Sequence, residues 1–415
     1  MAARGERREG GWEPGNHAFY GTLNPMPSML PTRTDVSRSQ ADILPNLVAT
    51  LHPETGLPTP AAMPGVPLGP VQSAILIVVD GLGAQQLRAA KPYARFLTAQ
   101  KFPTLQSVFP STTAASLTAI MTGAWPGEHG VVGYEMRDAQ HNRIVNGLTG
   151  WDERMVPETW QLREPLFEHA GRLGLRPFAV GTGKYATSGM TRAILRGATY
   201  VPADRIAERF EQAVKLAETP GALVYLYVPE LDQIAHRFGV ADERWLAALE
   251  DLDAEVRKLH ARVGSGVGIA LSADHGIVDV PDYAHVLFDQ DPDLVAGIGL
   301  IGGEPRMRHL YFDAGVSPER RAATLGAWQE SEGERAWVLS REEAIAAGLF
   351  GTVIPEVAPR IGDILVAARK RIAYYDSRPT DQSSRRMVGQ HGSLTEDEVL
   401  VPWITLGAWA PPGRG

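Results

Sequence analysis

The chain has 415 residues, 44% hydrophobic and 21% charged, an ordinary globular balance with length enough for a large core. Its net charge of −8 leaves no bulk basic surface for a nucleic-acid duplex or an anionic membrane. It contains no cysteine, which excludes disulfides, thiolate chemistry and cysteine metal sites, so any zinc must be held by histidine and carboxylate.

The opening stretch, MAARGERREGGWEPGNHAFYG, has no apolar signal-peptide core, and no run of about 18 apolar residues follows. A soluble, cytoplasmic protein with no membrane partner is expected. Residues 1–70 are rich in Pro, Gly and Arg and read as an extended arm over the surface, with a short helix near SQADILPNLVATL. Residues 71–415 then read as one catalytic-sized domain. Its candidate strands are SAILIVV, PFAVG, ALVYLYV, GVGIALS, RHLYFD, DILVAAR and VPWITL. Helical patterns lie between them, such as AQQLRAAKPYARFLTAQ, ETWQLREPLFEHAGRLG and DERWLAALEDLDAEVRKLHARV. Continuous apolar strands alternating with amphipathic helices predict an α/β fold, a mainly parallel central sheet sandwiched by helices. The texture changes over residues 281–375, which read as a small inserted cap.

Acidic and histidine residues follow the strands. SAILIVVDGLG ends on Asp80; ALVYLYVPELDQIAHRFG supplies Asp232 and His236; GVGIALSADHG supplies Asp274 and His275; VGQHGS supplies His391. Ligands gather at strand ends in open α/β sheets. Taken singly, each has a plain reading: Asp80 as a turn residue, His236 as a solvated helical histidine. GLGAQQ lacks the third glycine of a dinucleotide loop. Taken together, the D-x-x-x-H spacing puts Asp232 and His236 on one helical face, and an Asp-His turn can feed two ions. Six such ligands make two sites of three with an open position each, the arrangement of a two-metal hydrolytic centre.

The stretch VFPSTTAASLTAIMTG offers hydroxyls at the start of a helix. Ser111, Thr112 and Thr113 are all good N-caps. One of them beside a metal would instead become a nucleophile.

These motifs, in this order from Ala74 to Leu406, resemble the alkaline phosphatase superfamily, and within it the nucleotide pyrophosphatase/phosphodiesterase family. FPSTT and the later Gly123 match that family's Phe-Pro-Thr-x-Thr loop, which implies Thr113 as nucleophile with Thr112 as the fallback. The resemblance implies one zinc held by Asp232, His236 and His391. It implies a second held by Asp80, Asp274 and His275, with Thr113 bridging toward it. Other divalent transition ions fit the same ligands. Ser116 stands where the family pattern has a phosphate-binding Asn; its shorter hydroxyl is expected to donate to phosphate only through small shifts or a water, which moves weight to the Thr113 backbone N–H or implies a different substrate. The implied activity is hydrolysis of a small phosphate ester, a nucleotide among the candidates, through a phospho-threonine. A phosphomonoesterase or a phosphonate C–P hydrolase on the same scaffold is the alternative, and a non-catalytic metal-binding domain is another. Lys184 is read as a surface lysine or a substrate cation, His129 as structural or near the site, and Arg306 and His309 as cap residues that could touch substrate.

Overall fold

A computed structural model describes Leu30 and residues 39–411, apart from positions 59 and 66. In chain order its strands include β1 (Ser73–Val79), β2 (Arg176–Gly181), β3 (Thr199–Pro202), β4 (Ala222–Val228) and β5 (Val267–Ser272). Then follow β6 (Ile298–Glu304), β7 (Met307–Phe312), β8 (Ala336–Ser340), β9 (Ile364–Ala368) and β10 (Ile404–Gly407). The helices that matter here are α1 (Ile43–Leu51), α2 (Thr113–Thr122), α3 (Ile206–Ala217), α4 (Glu230–Phe238), α5 (Glu243–Arg262) and α6 (Pro318–Glu332).

Six strands form the main sheet in the order β10-β5-β1-β4-β2-β3. All neighbours are parallel except β10, which runs antiparallel to β5. Parallel neighbours require crossovers, and helices such as α3 and α5 supply them. Every residue of β1 and of β5 is buried, the outcome expected of continuous apolar strands covered on both faces. One consequence decides function: the C-terminal ends of β1, β4 and β5 reach the same edge of the sheet.

The helix expected within residues 1–70 is present, but it is core rather than surface arm. Ile43, Leu44, Leu47 and Val48 share one face of α1 and are fully buried. Four large aliphatic side chains on one face are stabilised by about 1.5–3 kcal/mol each when removed from water, enough to seat the helix. Gly123 ends α2 with φ +68°, and a Cβ there would lie 2.9 Å from Pro45 Cγ of α1. Residues 1–29 and 31–38 of that arm lie outside the described residues. A single helix expected over residues 84–100 is two, Ala84–Ala89 and Arg95–Ala99, with Pro92 in the break.

Within residues 281–375, a separate antiparallel sheet forms in the order β6-β7-β9-β8, with α6 packed on β8. A buried ion pair ties it to the core. Arg306 Nε and Nη2 each donate to a Glu398 carboxylate oxygen at 2.7 Å. Glu398 Oε1 also accepts the backbone N–H of Ser393 at 3.0 Å, so the same carboxylate steadies the loop that carries His391.

Candidate active site

Asp80 directly follows β1, Asp232 and His236 lie one turn apart on α4 after β4, and Asp274 and His275 follow β5. His391 arrives from a late loop after Gly389–Gln390. The turn holding Asp274 and His275 passes so close to other backbone that a Cβ on Gly276 would lie 2.0 Å from Asp397 O. No side chain fits there, which is why glycine follows the histidine.

Two groups result: Asp232 with His236 and His391, and Asp80 with Asp274 and His275, each with ligand atoms within 4.8 Å of one another. His236 Nε2 is 3.2 Å from Asp232 Oδ2, and His275 Nε2 is 3.5 Å from Asp80 Oδ1 and 3.6 Å from Asp274 Oδ2. The rings of His275 and His391 stack with centroids 3.7 Å apart, so the groups adjoin.

The histidines are wired alike. Nδ1 faces a backbone carbonyl in each: Gly389 O at 2.8 Å for His236, Gly276 O at 3.0 Å for His275, Ser111 O at 3.0 Å for His391. A carbonyl can only accept, so Nδ1 carries the proton and Nε2 is left with a lone pair, which in His236 and His275 faces the aspartates.

The aspartates are buried and incompletely partnered. Asp80 Oδ1, Asp232 Oδ1 and Asp274 Oδ2 are buried with no hydrogen-bond partner. Burial pushes the Asp80 carboxyl well above its ordinary range, and Asp274 and Asp232 add to the rise, against a hydrogen bond from the Tyr227 hydroxyl. Burial likewise raises Asp274, with His275 opposing and Asp232 adding. Burial works upward on Asp232 too, but His236, then His391 and His275, outweigh it and hold that carboxyl well below its usual range. Burial followed by the neighbouring His275 depresses His391. Three crowded carboxylate oxygens without donors, faced by imidazole lone pairs, form a donor set suited to a divalent cation in each group.

Thr113 opens α2, and its Oγ1 stands 3.0 Å from His275 Nε2. It lines a cavity of about 890 Å³ together with Asp80, Asp232, His236 and His391. The neighbouring hydroxyls do not: Thr112 and Ser111 are fully buried, and Ser111 donates to Ser393 O at 2.7 Å. Ser116 also stands apart from the cavity, contrary to expectation. Its hydroxyl is buried 3.0 Å from Ser107 Oγ, which donates to Asp274 O at 2.7 Å. The helix turns that side chain inward, where it reaches the Asp274 turn through Ser107.

Lys184 is exposed at the cavity, its Nζ 4.7 Å from the Tyr185 ring centroid. Arg306 and His309 are fully buried away from the cavity, whereas Arg308, between them in sequence, lines it. His129 is also fully buried away from it. Gln40, Tyr227 and Glu304 escaped the sequence reading. Gln40 Nε2 donates to Asp274 O at 2.6 Å, Tyr227 to Asp80, and Glu304 Oε2 lies 3.2 Å from His391 Nδ1. Tyr227 alone had a signal, since it alternates with Tyr225 on one side of an apolar strand.

This is the edge-of-sheet acidic and histidine centre of an α/β hydrolase of the alkaline phosphatase superfamily. The family profile for type I phosphodiesterase / nucleotide pyrophosphatase matches residues 74–394, and the chain belongs to that family. Among solved structures, murine ectonucleotide pyrophosphatase / phosphodiesterase 5 is similar with TM-score 0.62 and 18% identity, covering 80% of this chain and 87% of that one. An inactive threonine-to-alanine variant of the murine protein in complex with AMP gives the same TM-score and identity, over 81% and 88%. The human counterpart gives 0.62 and 16% identity, over 81% and 88%. These likenesses describe the fold. No curated protein matches the sequence. Among the described residues, no helix is long and apolar enough to cross a membrane.

Proposed function

We propose that this chain hydrolyses phosphodiesters through a phospho-threonine formed on Thr113, with Asp232, His236 and His391 holding one zinc ion and Asp80, Asp274 and His275 holding another. The ions would lower the pKa of the threonine hydroxyl and neutralise charge on the phosphate. The chain's own residues do the rest. Thr113 Oγ1 gives up its proton to solvent and attacks phosphorus; the Oγ1–P bond forms as the bond to the leaving oxygen breaks on the opposite side, and that oxygen takes a proton from water to leave as the alcohol or phosphate. At the first turn of α2, backbone N–H groups lack helical acceptors and are free to donate to phosphate oxygens. Water then cleaves the Oγ1–P bond and returns the hydroxyl. Gly276, Gly389 and Ser111 carbonyls keep the three imidazoles in the ligating tautomer throughout.

The observation that carries this reading is the position of Thr113 Oγ1, 3.0 Å from His275 Nε2 and in a cavity lined by Asp232, His236 and His391 of one group and Asp80 of the other. That the murine relative solved with AMP is an inactive threonine-to-alanine variant supports an essential threonine and places nucleotide esters among the candidate substrates. Arg308 in the cavity wall favours a phosphomonoester as the second reading, because a free phosphate dianion gains from an extra cation.

The test pairs bis-p-nitrophenyl phosphate with p-nitrophenyl phosphate, using zinc-loaded protein before and after chelation, and repeats both with Thr113→Ala. Chelator-sensitive preference for the diester, lost in the variant while zinc still binds, is the expected result. Preference for the monoester would favour the second reading, and near-normal turnover by the variant would remove Thr113 from the mechanism.

A further inference from the structure

Away from the metal-ligand groups lies a second cavity, of about 210 Å³, with a basic lining: Arg88, Lys91, Thr98, Lys101 and Phe102. None of these residues lines the Thr113 cavity. The charge is local and one-signed. The chain as a whole is at −8, yet residues 81–127 contain no Asp or Glu, and their four cations, Arg88, Lys91, Arg95 and Lys101, all lie between positions 88 and 101. Arg88, Lys91 and Lys101 are exposed and form no ion pair among the described residues. Like charges gathered around one hollow repel each other until an anion enters it.

The backbone beneath these cations is fixed. Arg88 lies in the last turn of the helix Ala84–Ala89, where Ala84 and Leu87 are fully buried. Gln86 of that helix donates through Nε2 to Ile277 O at 2.5 Å and Asp397 O at 3.1 Å. The helix Arg95–Ala99 is held by Asp253 of α5, whose carboxylate accepts from Phe96 N–H at 3.1 Å and Leu97 N–H at 2.8 Å. The Arg88 guanidinium lies 5.2 Å from the Phe102 ring centroid, and a stacked guanidinium keeps the N–H groups on its edges free for an anion. Lys101 is the least expected member. It follows the C-cap Gln100 with φ +49°, in the left-handed region where a helix end ordinarily takes glycine. A long cationic side chain therefore stands, at a conformational cost, where none is needed to end the helix. The Thr98 hydroxyl is already engaged, donating to Ala94 O at 2.6 Å, which leaves the three cations as the binding groups.

We propose that this cavity is a second anion site, which takes a small phosphate dianion, free or as the terminal group of a monoester. Arg88 presents a planar fork to two phosphate oxygens, and Lys91 and Lys101 add point charges at the others. The site stands apart from the metal-ligand groups and does not depend on the reaction assigned to them.

Equilibrium dialysis of radiolabelled inorganic phosphate against the zinc-loaded protein tests it. We expect one bound phosphate to survive His275→Ala, which disables the metal centre. Lys91→Gln with Lys101→Gln should weaken that phosphate at least about 100-fold, about tenfold per cation, while zinc content and turnover of bis-p-nitrophenyl phosphate stay unchanged. Arg95→Gln removes a charge from the same segment but not from the cavity, and should weaken binding less than about threefold. Displacement of this phosphate by methyl phosphate would identify monoesters as ligands, and resistance to it inorganic phosphate; both uphold the site. Loss of all phosphate binding in His275→Ala overturns it. Equal weakening by Arg95→Gln and by Lys91→Gln alone also overturns it, because the attraction would then be diffuse.

Discussion

The protein buries two kinds of histidine, and they are wired in opposite senses. At the sheet edge, His236, His275 and His391 each present Nδ1 to a backbone carbonyl. Beneath the cap, His129 accepts at Nδ1 from Val131 N–H at 3.1 Å, and His309 from Gly362 N–H at 2.9 Å. A carbonyl forces the proton onto Nδ1 and frees Nε2; an N–H forces the proton onto Nε2 and removes the lone pair a metal would need. Burial alone does not distinguish the sets, since His129, His275 and His309 are all fully buried. What separates a candidate ligand from a packed ring is the backbone group at its far nitrogen, together with carboxylates near the group. The first set has Asp80, Asp232 and Asp274; no carboxylate forms an ion pair with His129 or His309 among the described residues.

If that contrast is right, substitutions in the two sets must fail differently. His275→Ala and His391→Ala should each lower kcat/KM by roughly 10³-fold or more, because they remove members of a unit that acts together. Metal analysis should find one ion fewer, and unchanged ion content would break the comparison. His309→Leu should keep its ions and lose about 1–3 kcal/mol of stability in urea titration, since Gly362 N–H is left buried without an acceptor. Loss of metal from that variant would mean the cap histidine is not merely packed.

Acid sharpens the same contrast. Burial holds His129 and His309 down to about 3, below the ordinary 6.5. Between pH 6.5 and 3 the unfolded chain therefore takes up protons that the fold refuses. The stability these rings allow is complete above pH 6.5 and is lost as pH falls toward 3, by up to about 1.4 kcal/mol per pH unit for each ring. The slope of stability against pH in this window should be shallower in His309→Leu by that one-proton amount. An unchanged slope would show that the ring charges within the fold.

Much of this centre is legible in the chain. Asp80, Asp274 and His275 stand directly after strands whose unbroken apolar runs mark them as parallel and central, and D-x-x-x-H needs only helical spacing to bring Asp232 to His236. Facing and register are not legible. Ser116 and Leu117 lie three and four residues beyond Thr113, and helical geometry allows either to share its side. Packing decides: Leu117 lines the cavity and Ser116 turns to Ser107. In the cap, alternation says that neighbours in β7 point opposite ways, but only the folded hairpin shows that Arg308 is the residue lining the cavity. The helix within residues 1–70 is legible, but the Pro- and Gly-rich composition around it hides that its apolar face belongs to the core.

The smallest expected effect concerns what supports the ligands rather than the ligands themselves. Asp274 O accepts from Gln40 Nε2 at 2.6 Å and from Ser107 Oγ at 2.7 Å, two donors from separate, earlier stretches of the chain. Gln40 lies before the stretch that matches the family, so nothing within residues 74–394 foretells it. Gln40→Leu removes one of the two donors but also removes Gln40 Oε1, a buried acceptor with no partner. The two changes oppose each other, so stability should shift by less than about 1 kcal/mol. The turn carrying Asp274 and His275 loses a fixed point, however, and outer contacts of this kind are worth about 10-fold or more in ion affinity. A stepwise titration against a chelator should therefore show one of the two ions weakened several-fold and the other unmoved. Equal weakening of both would mean that residues 39–51 support the whole sheet edge, and no weakening would mean that Ser107 holds the turn alone.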